Sequence, residues 1–160
     1  MQVRPYQSED RTAVWEILRP VILAGETCAL PRDMSEAEAI AFWTGADRKT
    51  FVVEEEEQIL GSYYIRANQL GGGSHVANCG YITAQSATGR GVARTMCTHS
   101  LTYAKAQGFK AMQFNLVVST NTRAVRLLES FGFETIGRLP AAFFSPQAGY
   151  VDAFVMFRDL

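Results

Sequence analysis

Between residues 76 and 118 the hydrophobic period changes twice, and this constrains the fold more than any other feature. Val76, Asn78, Gly80 and Ile82 alternate with Ala77, Cys79, Tyr81 and Thr83, the period of a strand. A glycine-containing turn follows at residues 88–91. Val92, Ala93, Met96, Cys97, Ser100, Leu101 and Ala104 then recur at helical spacing, and Gly108 stands where a helix stops. Met112, Phe114, Leu116 and Val118 return to alternation. Strand, glycine turn, helix and strand in this order predict one parallel crossover.

The flanking segments place that crossover in a mixed sheet. Residues 3–6 predict a short strand. Ser8 predicts the cap of a helix carrying Val14, Ile17 and Leu18, which Pro20 limits or kinks. Residues 24–31 read as a loop. Ser35 and Glu38 have capping-box spacing and open a helix through Ile40, Phe42 and Trp43. Residues 51–53 and 59–65 predict paired strands joined by a glutamate-rich turn. A short helix with Ala124, Val125, Leu128 and Phe131 ends at Gly132. Strands at 133–138 and 150–157 close the chain. The order β-α-α-β-β-β-α-β-α-β-β is no regular alternation, so an α/β chain of α+β type is expected rather than a doubly wound one.

With 160 residues, one domain over 1–160 is expected. A composition with 48% hydrophobic and 19% charged residues excludes a disordered chain, a coiled-coil rod and a collagen-like one. The formal net charge is −1, which argues against a phosphate-driven nucleic-acid binder. The charge is uneven. Residues 1–80 carry seven basic and twelve acidic side chains, a balance of −5, and residues 81–160 carry eight and four, a balance of +4. The second half therefore suits a compact anion. No apolar run approaches the ~18 residues of a membrane span, and the N-terminus is unlike a signal peptide. Cys28, Cys79 and Cys97 are widely spaced and odd in number, which predicts reduced thiols in a cytoplasm. Neither these thiols nor His75 and His99 have metal-ligand spacing, so no metal is expected.

The turn reads Thr88-Gly89-Arg90-Gly91-Val92-Ala93. Its glycines leave the backbone open to a ligand, and the helix behind it offers unpaired N–H groups. Together these suit a diphosphate, with Arg90 and Arg94 adding charge. The turn lacks the Gly-Lys-Ser/Thr of a P-loop and the spacing of the dinucleotide fingerprint. Alone, it reads equally well as a plain strand-to-helix connection. A second block follows one strand later: Asn121-Thr122-Arg123-Ala124-Val125-Arg126-Leu127-Leu128-Glu129-Ser130-Phe131-Gly132-Phe133.

The two blocks, in this order and spacing, resemble the GNAT superfamily of acetyl-CoA-dependent N-acetyltransferases. The resemblance implies a mostly antiparallel central sheet of about six to seven strands, flanked by about four helices and containing a splayed parallel pair. It implies acetyl-CoA as cosubstrate, held through Thr88, Gly89, Arg90, Gly91, Val92 and Ala93, with Asn121 on the pantetheine or phosphate side and Arg123 among the cofactor-binding residues of the basic half. Asn121 reads equally as a helix cap, and the two roles are compatible. Thr88 stands where the family carries Arg or Gln. Backbone N–H groups do most of the holding, so this exchange should matter little. Tyr81, Ile82 and Thr83 would pair with pantetheine like an added strand, and one of their N–H groups would face the developing oxyanion. Leu128 stands where many members carry a tyrosine that protonates the departing thiolate. Here the thiolate would leave unassisted or take its proton from water.

Asn78 and Asn115 are polar residues within strands rich in apolar types. They read either as hydrogen-bonded amides or as a substrate clamp. Their surroundings are similar to a GNAT branch that includes yeast enzymes acetylating proline analogues such as azetidine-2-carboxylate. In that branch asparagines at matching positions contact substrate, and Glu26 matches the pocket wall. Glu26 and Asp152 are candidate bases through water, with His75 a third. The acceptor implied is a small-molecule amine, with a protein lysine or N-terminus as the alternative enzyme reading and a non-catalytic acetyl-CoA sensor as the alternative class. Family members of this size often form homodimers.

Overall fold

Strand β1 (Gln2–Pro5) leads through a tight turn at Ser8–Asp10 into helix α1 (Arg11–Ala24) in the computed structural model, which describes residues 1–160. Ser8 does not cap this helix, contrary to the sequence reading; its hydroxyl goes to Glu9 at 3.1 Å. Asp10 closes the turn instead. Its carboxylate accepts the Gln7 N–H at 2.8 Å and a two-pronged contact from Arg4, both prongs at 2.8 Å. A carboxylate with a guanidinium partner outcompetes a hydroxyl for that place.

The Arg4 hydrogen bond holds the Asp10 carboxyl below its ordinary range, helped by the Gln7 N–H and opposed by burial. A depressed folded-state value stabilises the fold above about pH 4, and the gain is lost as pH falls through that lower value. Asp10→Asn should therefore flatten the acid limb of the stability profile, read as urea midpoints between neutral pH and pH 2. An acid limb as steep as that of the parent chain would exclude this pair as its source.

Helix α1 runs through Pro20 and ends at Gly25, φ 64°. Pro20 and Glu16, whose carbonyl loses its partner, both lie on the exposed side, where water serves that oxygen. Val14, Ile17, Leu18 and Ile22 keep one buried stripe across the proline. Helix α2 (Glu36–Trp43) has the predicted box: Ser35 Oγ accepts the Glu38 N–H at 3.3 Å, and the Glu38 carboxylate accepts the Ser35 N–H at 2.8 Å. Strands β2 (Arg48–Glu55) and β3 (Gln58–Ala67) turn at Glu56 and Glu57, both at positive φ.

Strand β4 (Val76–Thr83), helix α3 (Val92–Ala106), strand β5 (Ala111–Val118) and helix α4 (Thr122–Ser130) follow as predicted. The last hairpin, β6 (Glu134–Ser145) and β7 (Gly149–Asp159), is longer than the sequence indicated. Pro140 and Ala141 break the alternation there. The structure absorbs them in a register shift between Leu139 and Phe143, with Ala141 at φ 49° and its N–H given to Asp152 Oδ1 at 3.0 Å. An edge strand tolerates a proline, and β6 is one.

The seven strands lie in the order β1-β2-β3-β4-β5-β7-β6. All neighbours are antiparallel except β4 and β5, which pair only at Val76↔Ala111 and Ala77↔Met112 before parting. Helices α3 and α4 cover one face over Tyr63, Cys79, Met112 and Phe114. Helices α1 and α2 cover the other face over Val52, Tyr64 and Ile82. No helix is long and apolar enough to cross a membrane.

Candidate active site

The parting of β4 from β5 leaves main-chain groups without a strand partner. Asn68 N–H bonds to the Val76 carbonyl at 2.7 Å and Ala84 N–H to Leu60 at 2.8 Å, so even-numbered residues of β4 address β3. By the same alternation, the N–H and C=O groups of Cys79, Tyr81 and Thr83 face the gap. Within the predicted trio, Tyr81 and Thr83 present backbone to it, while Ile82 spends its own on β3. The Tyr81 side chain points away. Its hydroxyl lies 2.6 Å from Ser100 Oγ and its ring packs on Phe114 and Tyr63. Burial pushes that phenol far above its ordinary range, which leaves a neutral core hydroxyl.

At the upper end of the gap the chain turns through residues 88–93. Gly89 and Gly91 have φ of 82° and 84°, a region that disfavours side chains. A Cβ at either would meet no atom within 4 Å, so both face open space. Gly91 precedes the first turn of α3, and no side chain caps it. The leading N–H groups of that helix are thus free for an anion. Thr88 is exposed, Val92 is buried beneath the turn and Ala93 half-buried. Arg90 turns aside to pair with Glu55, which also takes the N-terminal amine at 3.3 Å. Arg94 lies over the Phe131 ring, 5.2 Å from its centroid, and flanks the cradle instead. Asn121 caps α4, accepting the Ala124 N–H at 3.4 Å. Arg123 is exposed beside it without an ion pair. Leu128 is buried in the core under α4 and brings no proton donor to the gap.

The face of the sheet towards α1 and α2 carries four amides around the fork. Asn78 is 6% exposed and donates Nδ2 to the Gln113 carbonyl at 3.0 Å. Gln113 Nε2 donates to Asn115 Oδ1 at 2.9 Å, and Asn115 Nδ2 to Asn68 Oδ1 at 2.7 Å. One residue beyond Asn115 on β5, Leu116 lines a mostly apolar cleft of roughly 420 Å³, walled by Cys28 and Leu30 on one side and by Leu116, Phe143 and Phe144 on the other. Desolvation pushes the Cys28 thiol up, so it stays protonated. Glu26 joins the two walls. Its carboxylate accepts the Ser145 hydroxyl and the Gln147 N–H, the latter at 3.1 Å. A larger groove of roughly 540 Å³ lies on the β1 flank of α3 and starts at the cradle itself, lined by Arg90, Gly91 and Arg94 at that end and by Met1, Val3 and His99 beyond.

Asn78 and Asn115 are thus brought together, and Glu26 stands on the cleft rim. Asp152 serves the Ala141 bulge and pairs with Arg138 at 3.2 Å. His75 is exposed at the paired end of β4, its carbonyl bonded to Lys110 N–H at 2.8 Å. Sequence reasoning missed Asn68, Gln113, Ser145 and Gln147. Gln113 alone carried a signal, as a polar residue sharing a strand face with Asn115.

Residues 12–133 match the model of the acetyltransferase (GNAT) family, and the chain belongs to that family. It is 34% identical over 110 residues to the N-acetyltransferase aca1 of Schizosaccharomyces pombe, covering 68% of this chain and 53% of that protein. The chain therefore spans about half the length of that relative. A GCN5-related N-acetyltransferase from Kribbella flavida is 40% identical, with a TM-score of 0.94 over 99% of this chain and 97% of the other. A phosphinothricin acetyltransferase from Sinorhizobium meliloti, solved with acetyl-CoA, shares the fold at 22% identity and a TM-score of 0.87, over 99% and 88% of the two chains.

Proposed function

We propose that this chain is an acetyl-CoA-dependent N-acetyltransferase whose acceptor is a small-molecule amine, in particular an amino acid or a proline analogue. The observation that carries the reading is the unpaired edge of β4, running from the glycine cradle to the amide cluster beside a cleft. The cradle supplies N–H groups for a pyrophosphate. The free groups of Thr83, Tyr81 and Cys79 suit an extended arm that carries two amides. One of their N–H groups would receive the oxyanion as the amine nitrogen bonds to the thioester carbon. Collapse of that adduct breaks the C–S bond, and water protonates the thiolate, since Leu128 brings no acid.

The attacking amine must be neutral. Asn78 Oδ1 takes no hydrogen bond within the protein and suits an amine N–H. Glu26 holds the two cleft walls and receives the amine proton through water.

Thiol release from acetyl-CoA across a panel of amino acids, proline analogues, polyamines and lysine peptides tests this. Small amino acids should turn over fastest. Asn115→Ala should raise the amine KM roughly five- to tenfold, the worth of about one neutral hydrogen bond, with acetyl-CoA affinity unchanged. Peptides turning over far faster than every small amine would move the acceptor to protein. Tight acetyl-CoA binding with no turnover would make the chain a sensor.

A further inference from the structure

We propose that the Asn78 side chain sets the closed end of the acyl-CoA groove and so the length of acyl group the site accepts. This rests on the acetyl-CoA reading above. A parallel ladder continues by slanted, evenly spaced bonds. After Ala77↔Met112, the next bond would run from the Cys79 N–H to the Gln113 carbonyl. That carbonyl is taken instead by Asn78 Nδ2 at 3.0 Å. A side-chain donor replaces the main-chain donor, and the strands part at that residue. The substitution is braced, because the Gln113 side chain is itself held by Asn115 and Asn115 by Asn68.

The fork lies at a telling distance from the cradle. Residues 79–83 of β4, at about 3.3 Å each, give a free edge of roughly 15 Å, close to an extended pantetheine arm. With its pyrophosphate on the N-terminus of α3, the arm would end at the fork with the acyl methyl against the Asn78–Gln113 bond. Little space remains there. Ala77, Met112 and Cys79 fill the fork on the α3 and α4 side, at most 4% exposed, and Asn78 itself is 6% exposed on the other side. A longer acyl chain must displace the amide. Asn78 is in this account a specificity-determining residue for the donor, a role distinct from any contact of its Oδ1 with the amine.

Calorimetric binding of acetyl-, propionyl- and butyryl-CoA, with adenosine 3′,5′-bisphosphate as a probe of the phosphate end, tests the assignment without needing the acceptor. The parent chain should bind acetyl-CoA about tenfold more tightly than butyryl-CoA. Asn78→Ala should bring the two within about twofold, and Asn78→Ser should do the same where the alanine chain does not fold. Asn78→Asp keeps the size but sets a carboxylate against the Gln113 carbonyl. It should weaken acetyl-CoA several-fold and leave the bisphosphate unchanged. Variants retaining the parental acyl preference would overturn the inference, as would parallel losses for thioesters and bisphosphate, which indicate a merely structural amide. A parent chain that binds no acyl-CoA would instead overturn the acetyl-CoA reading itself.

Discussion

Gly91→Val is expected to weaken acetyl-CoA binding about a hundredfold while leaving the chain folded. A valine at φ 84° meets the left-handed penalty of about 1–2 kcal/mol, which a well-packed domain absorbs. A Cβ there contacts nothing in the protein, so no steric clash adds to that backbone strain. The side chain would project into the space that the leading N–H groups of α3 address. A pyrophosphate displaced from two charge-assisted bonds loses about 3 kcal/mol or more, which sets the hundredfold figure. Titration calorimetry checks the affinity and circular dichroism the fold. Affinity equal to that of the parent chain would remove the phosphate assignment from this turn.

Gly80→Ala should lower the melting temperature by about 5–10 °C. The added Cβ would stand 2.5 Å from Tyr64 Cε1 and 2.7 Å from Cζ. The ring cannot step aside. Trp43 meets it at 5.0 Å and Phe42 at 5.9 Å between centroids, and the Arg48 guanidinium lies 4.7 Å above it. Overpacking of this kind costs about 1–3 kcal/mol, and each kcal/mol shifts a domain of this size by about 2–4 °C. Calorimetry on the single and on Gly80→Ala with Tyr64→Leu separates strain from other effects. The second change should recover much of the loss, because the two residues share one contact. An unchanged melting temperature in the single variant would mean that the ring is not fixed.

Periodic features were legible in the sequence. The element order matches, as do the β4 alternation, the Ser35–Glu38 box and the α3 stripe, because each depends on residues within a few positions of one another. Non-local choices were not legible. Nothing near Ser8 announces that Asp10 meets Arg4 and takes its place. Glu26 meets Ser145 across 119 residues of chain, and Arg90 meets Glu55 across 35. For the site, the glycine cradle and the Asn121 cap could be read off local pattern. That Asn78 donates to Gln113, rather than standing free, needed the fork itself. The same holds for Ile82: only the register against β3 reveals which residues of β4 spend their backbone on the sheet.

The short pairing of β4 with β5 also bears on how the molecule coheres. Two ladder positions, the His75–Lys110 backbone bond, the Asn78 and Asn115 amides, the Glu26 contacts and the α3 crossover join the β1–β4 half of the sheet to the β5–β7–β6 half. Such halves are natural units of sub-global opening. An acyl-CoA bound along the free edge of β4, as proposed above, would add main-chain bonds where the protein has none of its own. Part of its binding free energy would then appear as cooperativity between the two halves. Occupancy of the site and mechanical integrity of the sheet would become one linked equilibrium, with the empty protein the more loosely joined partner.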